Sequence, residues 1–188
     1  MRVIAGRHRG RTLRAPPGRA VRPTSDRARE ALFNILERGE PPLRGARFLD
    51  LVAGTGAAAL EALSRGAARA VLVDDDPAAL ASARANVERL GEAAHARLLR
   101  LDATRLGHAP PEGPFDIAFL DPPYGAGLAA PALASALRGG WLAPGARVVA
   151  ELAAGEPFVP PAGLATEDER RYGAARLVFL RWPSPGDR

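Results

Sequence analysis

Short apolar runs alternating with helix-spaced segments limit what this chain can become. ARFLDLVA (46–53), AVLVDD (70–75), ARLLRLDA (96–103), FDIAFLDPP (115–123) and ARVVAEL (146–152) read as buried strands. A helix is expected from the first run to about Arg65, another from Pro77 to about Leu90, and a third over 128–138. The glycines and proline of 139–145 mark a loop. Such alternation builds βαβ units: a mostly parallel sheet with helices on both faces. ATEDERRYG and ARLVFLRW, at the end, read as an antiparallel hairpin on one edge. No repeat with a period of 20–50 residues is visible.

The start of the chain reads differently. RVIA (2–5) and TLRA (12–15) flank a glycine-bearing turn and predict a hairpin. Pro16, Pro17, Gly18 and Pro23 then break the chain. Thr24 or Ser25 is placed to cap a helix carrying Ala28, Ala31, Leu32, Ile35 and Leu36 to about Arg38, with a linker over 39–45. Residues 1–29 hold nine arginines and one acid, Asp26, while the body is slightly acidic. A basic arm of this kind suits a polyanion; the plain alternative is a solvated tail.

At 188 residues the chain fits one domain. It has no cysteine, which excludes a disulfide scaffold, a zinc ribbon and a cysteine nucleophile, and fits a reducing cytoplasm. No metal is expected, since His8, His95 and His108 lack the spacing of a helical pair. No apolar run approaches 18 residues, so neither a membrane span nor secretion is expected. No apolar stripe is left over, and a monomer is the default.

Two motifs carry chemistry. In Asp50-Leu-Val-Ala53-Gly54-Thr-Gly56, glycines at a strand end let a ligand and the next helix approach the backbone. Asp74 ends the next strand, where a carboxylate accepts from both hydroxyls of an adenosine ribose. Of its neighbours, Asp76 before Pro77 is a good helix cap, and Asp75 is expected to face solvent. The second motif, Asp121-Pro122-Pro123-Tyr124, follows the strand IAFL. Two prolines stiffen that loop, Asp121 and a fixed carbonyl can accept both hydrogens of an exocyclic amine, and Tyr124 offers a face for a base. A proline-rich turn merely capped by Asp121 is the alternative.

These motifs resemble those of the class I S-adenosylmethionine-dependent amino-methyltransferases. With IAGRHRGRTLRAP, RPTSDRAREALFNIL (22–36), GWLAPGARVVAE (140–151) and RRYGAARLVFLR (170–181), the whole chain is similar to the bacterial 16S ribosomal RNA guanine-N2 methyltransferases of the RsmD type. Val52 stands where that family has phenylalanine, and Asp74 where it has glutamate.

The resemblance implies a Rossmann-like α/β fold with a seven-stranded sheet. Residues 1–40 would form a basic, RNA-binding hairpin-and-helix extension of the same domain, and 41–188 the S-adenosylmethionine-binding catalytic part. Asp50, Ala53, Gly54, Gly56, Asp74, Asp102, Ala103 and Asp121 would serve the cofactor, Asp102 taking the adenine amine. Asp121, Pro122, Pro123 and Tyr124 would hold the flipped guanine, and Arg7, Arg9, Arg11, Arg22, Arg27 and Arg29 the RNA phosphates. The implied substrate is 16S rRNA, naked or in a partly or fully assembled small subunit, in the cytoplasm. Three other readings stay open: a DNA adenine-N6 methyltransferase, a non-catalytic RNA-binding factor on the same fold, and a nicotinamide oxidoreductase.

Overall fold

The structure is a computed structural model that describes residues 1–15 and 26–186. Arg22, Thr24, Ser25 and the Pro16–Pro23 break therefore lie outside the described residues.

In chain order the elements are helix α1 (Asp26–Glu37), strand β1 (Arg47–Leu51), α2 (Ala57–Ser64), β2 (Arg69–Asp74), α3 (Pro77–Leu90), β3 (Ala96–Arg100), a short 3-10 turn (Ala103–Arg105), β4 (Phe115–Leu120), α4 (Ala129–Arg138), β5 (Leu142–Ala153), β6 (Ala165–Tyr172) and β7 (Ala175–Arg181). Seven strands form one sheet in the order β3-β2-β1-β4-β5-β7-β6. The first five run parallel, and β7 and β6 add antiparallel at the edge, as the sequence pattern predicts.

Period-two alternation divides the core. Leu49, Leu51, Val71, Val73, Leu120 and Val148 pack with α4 on one face. Phe48, Leu72, Ile117, Phe119 and Val149 point the other way, under α1 and α2. Phe33 of α1, fully buried, leans on Phe48 with ring centroids 6.0 Å apart. Burial of a side chain that size contributes about 1.5–3 kcal/mol.

One boundary departs from expectation. Residues 139–145 were to be loop up to a strand starting at Ala146, but β5 begins at Leu142 and runs through Pro144 and Gly145. Its register against β4 jumps between the Phe115–Leu142 and Ile117–Arg147 pairs. A bulge accommodates the proline and glycine that read as a break.

The predicted hairpin at the start forms. Val3 and Leu13 donate their amides to the Arg11 and Met1 carbonyls, both at 2.9 Å. It does not dangle. Val3 and Leu13 are buried against Leu60 of α2 and Val87 and Leu90 of α3. Glu61, fully buried, accepts the Ile4 and Ala5 amides at 2.7 and 3.0 Å and Arg65 Nε at 2.8 Å. Asn86 trades hydrogen bonds with the Arg14 backbone at 2.8 and 2.9 Å, and its amide also donates to the Thr55 carbonyl at 3.0 Å. The basic arm is thereby fastened to the body.

Candidate active site

Strand order reverses between β1 and β4, and ligands of open α/β sheets settle at the carboxyl ends of strands flanking such a switch. A cavity of about 1210 Å³ lies there. Small-ligand pockets span about 300–1,000 Å³, so this one has room for more than one small ligand.

Its floor is the loop after β1. Val52 has φ 61°, a rare conformation for a β-branched residue. Backbone strain of this kind concentrates at ligand sites. Gly54, at φ 57°, faces the cavity, and a Cβ there would meet nothing within 4 Å. The space over the backbone is thus open for a ligand. Gly56 is not in the cavity wall. A Cβ on it would stand 2.8 Å from Leu72 Cδ2, so its service is close helix–strand packing.

Asp74 lines the cavity and is 6% exposed. Its Oδ2 accepts the Gly54 amide at 2.8 Å and its Oδ1 the Asp76 amide at 2.9 Å, which ties the glycine loop to the end of β2. Asp76 caps α3 by accepting the Ala78 amide at 2.8 Å, with Pro77 in the first turn, and Asp75 is exposed, both as predicted. Asp102 lies at the rim and accepts the Thr104 amide and hydroxyl at 2.8 and 2.7 Å. Those bonds hold its carboxyl below the usual range. Ala53 and Ala103 also line the cavity.

Asp50 sits deeper. It is 2% exposed, and its Oδ2 accepts the Ala59 amide of α2 at 3.0 Å. Burial pushes its carboxyl well above the usual range; the Ala59 amide opposes this, while Asp121 and Asp74 add to it. It also lines the cavity, and its bond to Ala59 ties the end of β1 to α2 across the glycine loop.

At the far end of the cavity stand Asp121, Pro122, Pro123 and Tyr124. The Tyr124 hydroxyl donates to Glu151 Oε1 at 3.2 Å, and the Gly125 amide to Glu156 at 3.1 Å. The loop is thus pinned to β5 and the segment after it.

The arginines separate by environment. Arg7, Arg9, Arg11 and Arg27 are all exposed; Arg11 donates to the Arg89 carbonyl at 3.3 Å, and Arg27 lines the cavity. Arg7 spreads its fork on buried Glu92 at 2.8 and 2.7 Å. Arg29 is not at the surface: it is 3% exposed and donates to the Arg2 carbonyl at 2.6 Å and to Asp26 at 3.0 Å. Burial pulls its guanidinium below the ordinary value, with Glu61, Asp26 and Glu151 opposing.

Sequence reasoning did not pick out Glu151, Tyr172 or Arg171, all of which line the cavity. They fall in stretches that carry the family resemblance, GWLAPGARVVAE and RRYGAARLVFLR, but nothing in those letters assigns them a role. Only the register of β5, β7 and β6 brings them to the edge where the glycine loop lies.

Five parallel strands, an antiparallel pair at one edge and a cavity at the switch point define a class I methyltransferase fold. The chain matches the family described as "Conserved hypothetical protein 95" over residues 1–181, and it belongs to that family. The "Ribosomal RNA small subunit methyltransferase D" of Escherichia coli (strain K12) is 40% identical over 162 residues, 85% of this chain and 79% of that one. The protein of the same name from Haemophilus influenzae is 31% identical over 92% of this chain and 89% of its own. The solved structure of Escherichia coli yhhF matches with TM-score 0.83 at 34% identity, covering 98% of each chain.

Proposed function

We propose that this chain methylates the exocyclic N2 amine of one guanine in 16S rRNA of the small ribosomal subunit, with S-adenosylmethionine as donor. The observation that carries the reading is the single cavity shared by the glycine loop and Asp121–Tyr124. Relatives named as small-subunit rRNA methyltransferases support the polymer.

S-adenosylmethionine supplies an electrophilic methyl group on a cationic sulfur. Asp74 suits its ribose hydroxyls, Asp102 its adenine amine, the Ala103 amide its ring, and Ala53 and Gly54 the open space above the loop. The carboxylates Asp74, Asp102 and Asp121 make that part of the cavity favourable for a cation. Asp121 and the Pro122 carbonyl accept the two N2 hydrogens of a guanine turned out of its stack. Those bonds pyramidalise the nitrogen and aim its lone pair. Tyr124 carries the ring face. Positioning and preorganised charge supply most of the rate.

Arg9, Arg11 and Arg27 are the arginines placed to grip phosphate, whereas Arg7 and Arg29 hold the arm in place. The substrate is a partly or fully assembled small subunit, in the cytoplasm, and the enzyme acts as a monomer.

The test is transfer of labelled methyl to unmodified small subunits, naked 16S RNA and duplex DNA, with the product nucleoside identified by mass. N2-methylguanosine from the subunits is expected. N6-methyladenine in the DNA lane would overturn the base and the polymer together.

A further inference from the structure

Glu151 closes the stretch GWLAPGARVVAE but was assigned no role there, yet it lines the cavity together with Asp121 and Tyr124. It is 1% exposed. Ala150 stands level with Leu120 on the neighbouring parallel strand, so Glu151 comes level with Asp121 one strand over. The Tyr124 hydroxyl donates to its Oε1. A buried carboxylate on a cavity wall is costly to desolvate, and positions with that cost are where recognition or catalysis is found. Arg29, buried behind the same end, supplies a compensating positive charge.

We propose that Glu151 reads the Watson–Crick edge of the substrate base by accepting N1–H, and so selects guanine. This rests on the guanine-N2 reading above. Guanine carries two donors side by side, the N2 amine and N1–H. Two carboxylates on adjacent strands, Asp121 and Glu151, are matched to that pair. Adenine places a bare N1 lone pair next to its amine, and a carboxylate facing it is repelled. The specificity against adenine is therefore built into β5, not into the Asp121–Tyr124 loop.

The probe is small subunits reconstituted with 16S RNA whose mapped target guanine is replaced by 2-aminopurine. That base keeps the N2 amine and lacks N1–H together with O6, so the comparison with the Glu151 variant isolates the N1 contact. Wild-type kcat/KM should fall about 10- to 100-fold on it, the range of one lost base-edge contact. Glu151→Gln should shrink that ratio at least several-fold, mainly through lost activity on guanine: with its oxygen held by the Tyr124 hydroxyl, its amide meets N1–H donor to donor, whereas it can donate to a bare N1. Gln still accepts the Tyr124 hydroxyl, so a merely structural role would change both substrates alike. Binding of S-adenosylhomocysteine by calorimetry should match wild type. Equal wild-type turnover of guanine and 2-aminopurine overturns the proposal, and needs no variant to fold. Label on a base atom other than guanine N2 overturns the underlying reading and this proposal with it.

Discussion

Asp50 Oδ2 lies 3.0 Å from the Ala59 amide, a bond that joins the end of β1 to α2 at the wall of the cavity. The carboxyl is fully buried and its pKa is raised, first by burial. Below the ordinary carboxylate range, both folded and unfolded chains hold its proton. As pH rises through that range the unfolded chain releases it first, so the folded state loses stability until its own higher pKa is passed. Asp50→Asn removes this loss. The Tm of the variant relative to wild type should climb as pH rises above about pH 4, each kcal/mol recovered being worth about 2–4 °C. A Tm difference that stays flat with pH would mean Asp50 is not the group that titrates.

Glu92 has the opposite sign. Burial raises its carboxyl, but hydrogen bonds from His8 and Arg7 outweigh that and leave it below the usual range. Its contribution is complete above about pH 4.3 and is lost as pH falls toward the lower folded value. The hairpin should loosen under acid before the sheet does. Amide exchange at Val3 and Gly10, which bond across the hairpin, should accelerate below about pH 4, and Glu92→Gln should abolish the extra acid sensitivity.

Gly6 is the tightest point of the arm. Its φ is 80°, and a Cβ there would stand 1.9 Å from the Ser64 carbonyl oxygen. Gly6→Ala cannot be absorbed by a side-chain shift, because the obstacle is backbone. It should destabilise by more than about 1 kcal/mol. RNA affinity should drop with it, while S-adenosylhomocysteine affinity changes far less. Filter binding and calorimetry on one preparation would show the split.

Asp121→Ala should lower kcat by at least about 100-fold, the scale of one lost electrostatic contact at a reacting centre. Cofactor affinity should stay within a few-fold. Joint loss of both would mark Asp121 as a fold-holding residue.

Arg9→Ala and Arg11→Ala should each flatten the salt dependence of RNA binding, by about 0.7 in log–log slope per lost phosphate contact. Arg7→Ala should chiefly lower Tm, since its fork serves Glu92. If Arg7 moved the salt slope as much as Arg9, the division of labour drawn above would fail.

The site was legible in the sequence where local chemistry decides. Asp74 ends, and Gly54 and Asp121 closely follow, strands that announce themselves by apolar runs, and Asp76–Pro77 is a cap readable from two letters. What escaped depends on pairing across distance. Arg7 is 85 residues from Glu92, and nothing near Arg7 distinguishes it from Arg9. Arg29 became a buried anchor through the Arg2 carbonyl, a backbone atom that no residue type reveals. The early start of β5 was hidden because proline and glycine signal a break equally well in a loop and in a bulge. His8 and His95, set aside as too far apart, meet on the same Glu92 carboxylate.

One side-chain amide, that of Asn86, holds both the Arg14 carbonyl at the end of the hairpin and the Thr55 carbonyl inside the glycine loop. The arm and the glycine-loop side of the cavity therefore share a single fixed origin. On the proposed reading, an RNA gripped by the arm would be measured as by a caliper: a base would enter only if it lay the set span from the gripped phosphates. Selection of the target base would then begin with that ruler, before any edge of the base is read.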